Sequence, residues 1–382
     1  ILVSDKAKVD GIVGRWGKDN ITVTGAGTVV TGSVDGNEDN DTIKISDGAV
    51  VNEYVRGGDG ADKIDVTSGS KVKKTVDGGA GEDEITVTGA GTVVGEALTT
   101  PQLRVNGSIT GGEDNDKIVL SDGAHAVNAG IAGWGGDDKI TVTGSGTRAH
   151  SVSGHAGDDD IRVDNKAYIE HAVSANTGNG TVTVSGDGTS VGGIQSNGNA
   201  PITVEDGAEV RGALYAYGPS GEQTIVVQSG AKVNVINTAV DFRDDRNTGG
   251  NTEDTVIVKD AGTVVNAVRT GNHDDTLIVQ DGATVGSVGL GNENDTKMTT
   301  TNNSGNIVVN SLDGDGNIDL SKIAKVAENN RIGLQLLQNF FDEKDLRYVP
   351  SKGNFVMLDL QQPAAPIYQA LLRKGVIVRP LA

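Results

Sequence analysis

At 382 residues, with 56 glycines, 3% aromatic and 36% hydrophobic content, the chain is long enough for two ordinary domains but too poor in large apolar side chains for a thick globular core. Its formal net charge of −20 disfavours phosphate backbones and suits divalent cations. The absence of cysteine excludes disulfides and thiolate metal sites, and no apolar run reaches the roughly 18 residues that span a bilayer.

The charge is uneven. The last 62 residues carry nine basic and five acidic side chains, so the preceding part holds −24. The chain changes character near residue 320, which divides it into residues 1–319 and 320–382. No signal peptide is visible, and a start at Ile1 rather than Met is expected of a processed or trimmed product.

The first part is a repeat. Gly57-Gly58-Asp59-Gly60-Ala61-Asp62-Lys63-Ile64-Asp65 returns as Gly78-Gly79-Ala80-Gly81-Glu82-Asp83-Glu84-Ile85-Thr86, and weaker copies recur about every 21 residues. Marked by the apolar residue two places after the aspartate, the series runs Ile21, Ile43, Ile64, Ile85, Ile118, Ile140, Ile161, Val182, Ile202, Ile225, Val256, Leu277 and Met298. Two longer steps contain insertions near residues 99–101 and 241–250, which read as loops leaving one face of a stack. About thirteen coils result.

Within a coil, apolar residues stand at the mark, two places later, about eight later and about twelve later, as in Ile64, Val66, Val72 and Val76. The same spacing gives Ile43, Ile45, Val51 and Val55, and again Ile202, Val204, Val210 and Leu214. Even offsets place them on one side of extended chain, with Lys63, Asp65 and Lys73 on the wet side. Small-residue corners such as Ser46-Asp47-Gly48-Ala49 separate the strands. Stacking such coils pairs each strand with its copies above and below. The expected fold is an all-β parallel solenoid, on the order of 60 Å long at the usual strand spacing of about 4.8 Å.

From residue 320 the spacing turns helical, with Ile323, Val326, Ile332, Leu336, Leu337 and Phe340 on one stripe. Strands are expected at 347–349, 354–360 and 376–378, with a helix from Pro366 to Lys374. Three of four phenylalanines and four of seven prolines lie here. This small α/β unit is a candidate cap for the open end of the solenoid beyond Val308 and Leu312, the alternative being a module on a joint at residues 313–316.

The glycine-aspartate corners fit the calcium-binding nonapeptide, and here the chain resembles the RTX family. The resemblance covers one corner per coil, because a second strand separates the copies. It implies a single row of Ca²⁺ sites with ligands from Asp41, Asp59, Asp62, Asp83, Asp114, Asp116, Asp138, Asp159, Asp254 and Asp275. Asp41, Asp62 and Asp83 would recur at one strand spacing, repelling by about 1 kcal/mol in bulk water and more near protein. Aspartate oxygens and glycine carbonyls are what Ca²⁺ takes, whereas Mg²⁺ is more exacting. Otherwise these aspartates splay into solvent and block edge pairing. Gly180, Ala200 and Gln223 replace the aspartate in the middle coils.

His125, His150, His155, His171 and His273 show no zinc-motif spacing and read as surface residues. Asp241, Arg243, Asp244, Asp245 and Arg246 cluster within an insertion, and Trp16 and Trp134 sit in corners where they can stack on sugars. Turns such as Gly48-Ala49-Val50-Val51 and Gly262-Thr263-Val264-Val265 make the solenoid similar to autotransporter passengers and Gram-negative surface adhesins.

The tail segments around Tyr348-Val349-Pro350-Ser351-Lys352-Gly353-Asn354 and Gly375-Val376-Ile377-Val378-Arg379-Pro380 resemble the C-terminal domain of histidinol-phosphate aminotransferases. The resemblance implies substrate-phosphate contact by Arg379. The family's Schiff-base lysine and cofactor loop lie upstream of the matching segment, where this chain has repeats, and its later substrate arginine lies beyond Ala382. Pyridoxal phosphate is therefore not an expected cofactor.

Together these readings predict a non-enzymatic structural or adhesive rod, extracellular or on a bacterial surface, stabilised by calcium. Its partners would be host-cell or matrix surfaces, glycans or copies of itself, with no nucleic acid and no membrane insertion. The alternatives are a polysaccharide lyase, epimerase or tail spike on the same architecture, and a self-assembling filament or surface-layer subunit.

Overall fold

The computed structural model describes residues 1–95, 109–127, 130–216, 223–238, 254–270 and 275–289, and in the tail residues 335, 338–344, 346–349 and 357–359. The repeats form a parallel β-solenoid. Among the described residues, one side of each coil is a five-residue strand or its shorter equivalent, from Leu2–Val3 and Asn20–Thr24 through Lys63–Thr67 to Thr276–Val279, and these make a 13-stranded parallel sheet. Its register follows the repeat: Ile21 pairs Ile43, Ile43 pairs Ile64, Ile64 pairs Ile85 and Ile85 pairs Ile118. The column continues to Leu277 opposite Val256, so each expected mark from Ile21 to Leu277 stands on its neighbour. Met298 lies outside the described residues. An additional strand, Leu2–Val3, precedes the series and pairs with Thr22 and Val23.

The remaining wall is a 20-stranded parallel sheet. In the early coils it is made of two pieces, such as Val50–Val51 and Val55–Asp59, which join from residue 168 onward into single strands such as Tyr168–Asn176. The core between the sheets is a thin stack of Ile, Val, Leu and Ala: Ile64, Val66, Val72 and Val76 are fully buried, as are their counterparts at Ile43, Ile45, Val51 and Val55. Period-two alternation puts one methyl-rich face inward and leaves Lys63 exposed and Asp65 partly exposed on the other. β-Branched side chains suit this pleated, half-buried surface.

Corners supply what strands cannot. At Asp47-Gly48 the chain turns with φ of +56° and +78°, which aspartate tolerates and glycine adopts freely. A buried position just after this turn alternates between Ala49 or Ala124 and Thr28, Thr92 or Thr147. Where it is threonine, the hydroxyl donates to the carbonyl four residues back, as from Thr92 to Thr88 at 2.8 Å, and accepts a neighbouring coil's N–H, that of Gly69 at 2.9 Å.

In the tail, Arg347–Val349 pairs antiparallel with Met357–Asp359, inside the two strands read from the sequence. Residues 338–343 are helical, and Phe341 meets the hairpin's Tyr348 at 5.6 Å between ring centroids. Phe340, expected on the packing stripe, is 49% exposed. The rest of that stripe, Val308, Leu312, the 366–374 helix and the 376–378 strand lie outside the described residues, as do both insertions and the Asp241–Arg246 cluster. No helix among the described residues is long and apolar enough to cross a membrane.

Candidate metal centre

Asp62 occupies the corner between Val55–Asp59 of the second sheet and Lys63–Thr67 of the first. It does not splay into solvent. Asp41, Asp62, Asp83, Asp116, Asp138 and Asp159 are all buried, at 3% exposure or less. The Oδ1 of each accepts the backbone N–H of the equivalent aspartate one coil earlier: Asp41 to Asp62 at 2.6 Å, Asp62 to Asp83 at 2.7 Å and Asp83 to Asp116 at 2.8 Å. The row continues through Asp138 to Asp159 at 3.1 Å. Each aspartate's own carbonyl accepts the N–H of the first strand residue of the next coil, as Lys63 to Asp41 at 2.9 Å. The row thus satisfies corner N–H groups, which are costly to bury unpaired.

The second oxygen, Oδ2, is buried without a hydrogen-bond partner in Asp19, Asp41, Asp62, Asp83, Asp116, Asp138 and Asp159. It rests on a glycine five residues earlier in the same coil. A Cβ on Gly36, Gly57, Gly78, Gly111, Gly133 or Gly154 would lie 1.9–2.2 Å from it, and on Gly36, Gly57 or Gly78 also 2.5–2.6 Å from the next coil's glycine carbonyl. That overlap requires glycine there. The same spacing, Gly14 to Asp19, extends the row one coil before the aspartates read from the sequence, with the Asp19 N–H donating to Asp41 Oδ1 at 2.7 Å.

Burial dominates the electrostatics. It pushes Asp62, Asp138 and Asp159 up to about 6, Asp116 to about 7 and Asp83 to about 8, against the pull of the accepted N–H, and neighbouring aspartates add to the rise. Asp41 shifts the same way for the same reason. A proton on Oδ2 would remove the buried charge that this burial penalises.

Against calcium, the geometry is sparse. Oδ1 is committed to backbone, one unpartnered Oδ2 remains per coil, and Asp59 and Asp114 are exposed at the outer rim, whereas Ca²⁺ takes about six to eight oxygens. Beyond the middle coils the row resumes: Gln223 N–H donates to Asp254 Oδ1 at 3.0 Å and Asp254 N–H to Asp275 Oδ1 at 2.9 Å. A second, exposed row of Asn and Asp runs beside it, with Asp137 N–H on Asn115 at 2.7 Å and Asp158 N–H on Asp137 at 2.8 Å.

The solvent faces carry their own columns. Glu84 bridges Lys63 at 2.7 Å and Lys117 at 2.6 Å across three coils. Trp134 is 54% exposed and stacks on His155 with centroids 4.7 Å apart and planes 7° from parallel, while Trp16 is 81% exposed. The stacked pair follows from register, since Trp134 pairs His155 in the sheet.

No protein-family model and no solved structure matches the chain. A 60-residue segment is 77% identical to histidinol-phosphate aminotransferase 2 of Pasteurella multocida, covering 16% of each chain. It is 62% identical to the enzyme of that name from Haemophilus influenzae over 60 residues, and 50% identical to that from Pseudomonas fluorescens over 64. The chain spans about one-sixth of the length of the curated relatives it matches. The similarity read in the tail is therefore real and local.

Proposed function

We propose that this chain is a non-enzymatic structural and adhesive rod, exposed outside a bacterial cell, whose flat repetitive faces meet glycan-bearing surfaces or further copies of itself. The observation that carries this reading is the unbroken register of the first sheet. It repeats the same outward stations coil after coil, as in the Lys63–Glu84–Lys117 column, and so makes an extended surface. The likeness to histidinol-phosphate aminotransferases covers 16% of the chain, and we read that segment as an appended unit without transaminase chemistry. Binding of the intact protein to immobilised acidic glycans and to host cells tests the rod reading, with electron microscopy reporting self-assembly. Release of shortened or unsaturated sugars would favour a polysaccharide-acting enzyme. A stable pyridoxal-phosphate absorbance band after dialysis would overturn the reading of the tail.

Calcium is a second reading of the aspartate row, favoured by the unpartnered Oδ2 atoms. In our account a proton fills that role, and the two readings separate on stability measured with and without Ca²⁺.

A further inference from the structure

Stacking brings together residues that no linear motif joins. His150 follows the short strand Arg148–Ala149, and one coil later Glu170 and His171 lie within Tyr168–Asn176. Ala149 pairs Ile169 and Val152 pairs Val173, so three residues of the later coil stand opposite two of the earlier one. This bulge breaks the in-out alternation and turns the consecutive Glu170 and His171 both to the exposed face. The backbone there is tied down. His171 N–H donates to the His150 carbonyl at 2.8 Å, and Arg211, from two coils further on, donates to the carbonyls of Ile169 at 2.8 Å and Glu170 at 2.9 Å. Its guanidinium lies 4.3 Å from the centroid of the Tyr168 ring. Between them, Gly192 has no room for a side chain, because a Cβ would lie 2.3 Å from the Glu170 carbonyl and 2.4 Å from that of His171.

The result is a preset donor group. His150 Nδ1 is 3.2 Å from Glu170 Oε2, the two imidazoles meet edge to face at 4.3 Å, and one ligand atom from each of the three residues falls within 4.8 Å of the others. Among the described residues it is the one cluster of three or more His, Asp or Glu groups so placed. A tetrahedral zinc with ligands at about 2.0–2.1 Å wants them about 3.3 Å apart, which rotation of these side chains, none of them buried, supplies. Two imidazoles and one carboxylate select a borderline transition metal over Ca²⁺ or Mg²⁺. We propose that His150, Glu170 and His171 bind a divalent transition metal, with Zn²⁺ as the fitting ion, and that the bound metal clamps the two-piece coils to the first long-strand coil at their seam.

The test is calorimetric titration of the intact, tag-free protein with ZnCl₂ in buffer containing millimolar Ca²⁺, alongside the visible absorption of added Co²⁺. One equivalent should bind with a Kd on the order of micromolar. His150→Ala and His171→Ala should each weaken binding at least about tenfold and abolish the cobalt band, while changing the metal-free melting temperature little because neither side chain is buried. His125→Ala, whose ring instead contacts the Gly146 carbonyl at 3.1 Å, should bind as the parent does. No zinc binding by the parent at about 100 µM, or binding as tight as the parent's by a variant carrying both His150→Ala and His171→Ala, would overturn the site.

Discussion

The coils marked by Ile43 to Ile161 and those marked by Val182 to Ile225 solve the same corner in two ways. In the first group an aspartate carboxylate accepts the corner N–H, and the second sheet is interrupted into two short pieces. In the second group the aspartate's station is held by Gly180, Ala200 and Gln223, and the wall becomes one strand of seven to nine residues in Tyr168–Asn176, Ser190–Ser196 and Glu209–Ala216. Two corner N–H groups there find backbone carbonyls, Asn197 on Asn176 at 2.7 Å and Asn199 on Gly178 at 2.8 Å, while the Gln223 N–H at the end of this group again meets a carboxylate, that of Asp254 at 3.0 Å. The first sheet keeps its register through both. The aspartate row is thus one means of satisfying backbone at a tight corner, and stacking itself rests on the apolar columns and the ladder.

The comparison breaks most visibly at glycine. Gly57→Ala places a Cβ 2.1 Å from Asp62 Oδ2 and 2.6 Å from the Gly78 carbonyl, and should cost about 3 kcal/mol in chemical denaturation of the intact protein. Gly135→Ala, where nothing lies within 4 Å, should stay within about 0.5 kcal/mol.

Next in size is the carboxylate. Asp83→Ala leaves the buried Asp62 N–H without its acceptor and should cost about 1–3 kcal/mol. Asp83→Asn keeps an acceptor for that N–H and buries no charge, so it should be neutral, or stabilising near pH 8 where the native carboxyl ionises. Equal losses in both variants would show that the charge itself is needed. Gln223→Asp, which extends the row into the middle coils, should gain the raised titration without improving register.

How far this was readable from the residues depends on the distance over which each rule acts. Alternation at Ile64, Val66, Val72 and Val76 is local and repeated, so core, strand direction and register were all legible. The aspartates stand out in the sequence, but the side to which they turn is decided by the glycine five residues earlier and by a backbone donor in another coil. The buried threonine row leaves no trace in the sequence for a related reason, since Thr28 and Thr92 look like ordinary strand residues until stacking places an N–H over the hydroxyl. The sequence places His150 and His171 at the surface, where His171 is exposed and His150 partly exposed. Their meeting with Glu170 depends on a one-residue bulge between coils, which period counting averages away.

The smallest effect should come from the charged face. Glu84→Gln removes both bridges to Lys63 and Lys117, whose partners are a third or more exposed, and should change stability by no more than about 1 kcal/mol, fading in high salt.

The central claim concerns the state of the buried carboxyls. Their folded pKa values lie above the ordinary carboxylate value, from about 6 at Asp62 to about 8 at Asp83, so the native protein holds more protons than the unfolded chain across that interval. Stability should therefore be fully present below about pH 4 with respect to these groups and be lost as pH rises through the folded values, with the row titrating as a coupled set. Glu84, lowered to about 2 by its lysine partners, stays charged throughout and does not confuse the trend. The direct measurement is the melting temperature of the intact protein between about pH 5 and pH 8, in EDTA and in millimolar Ca²⁺. The account predicts a fall in melting temperature toward pH 8 that Asp83→Asn reduces and Ca²⁺ does not restore; a melting temperature that rises with pH, or one that Ca²⁺ restores at pH 8, would contradict it.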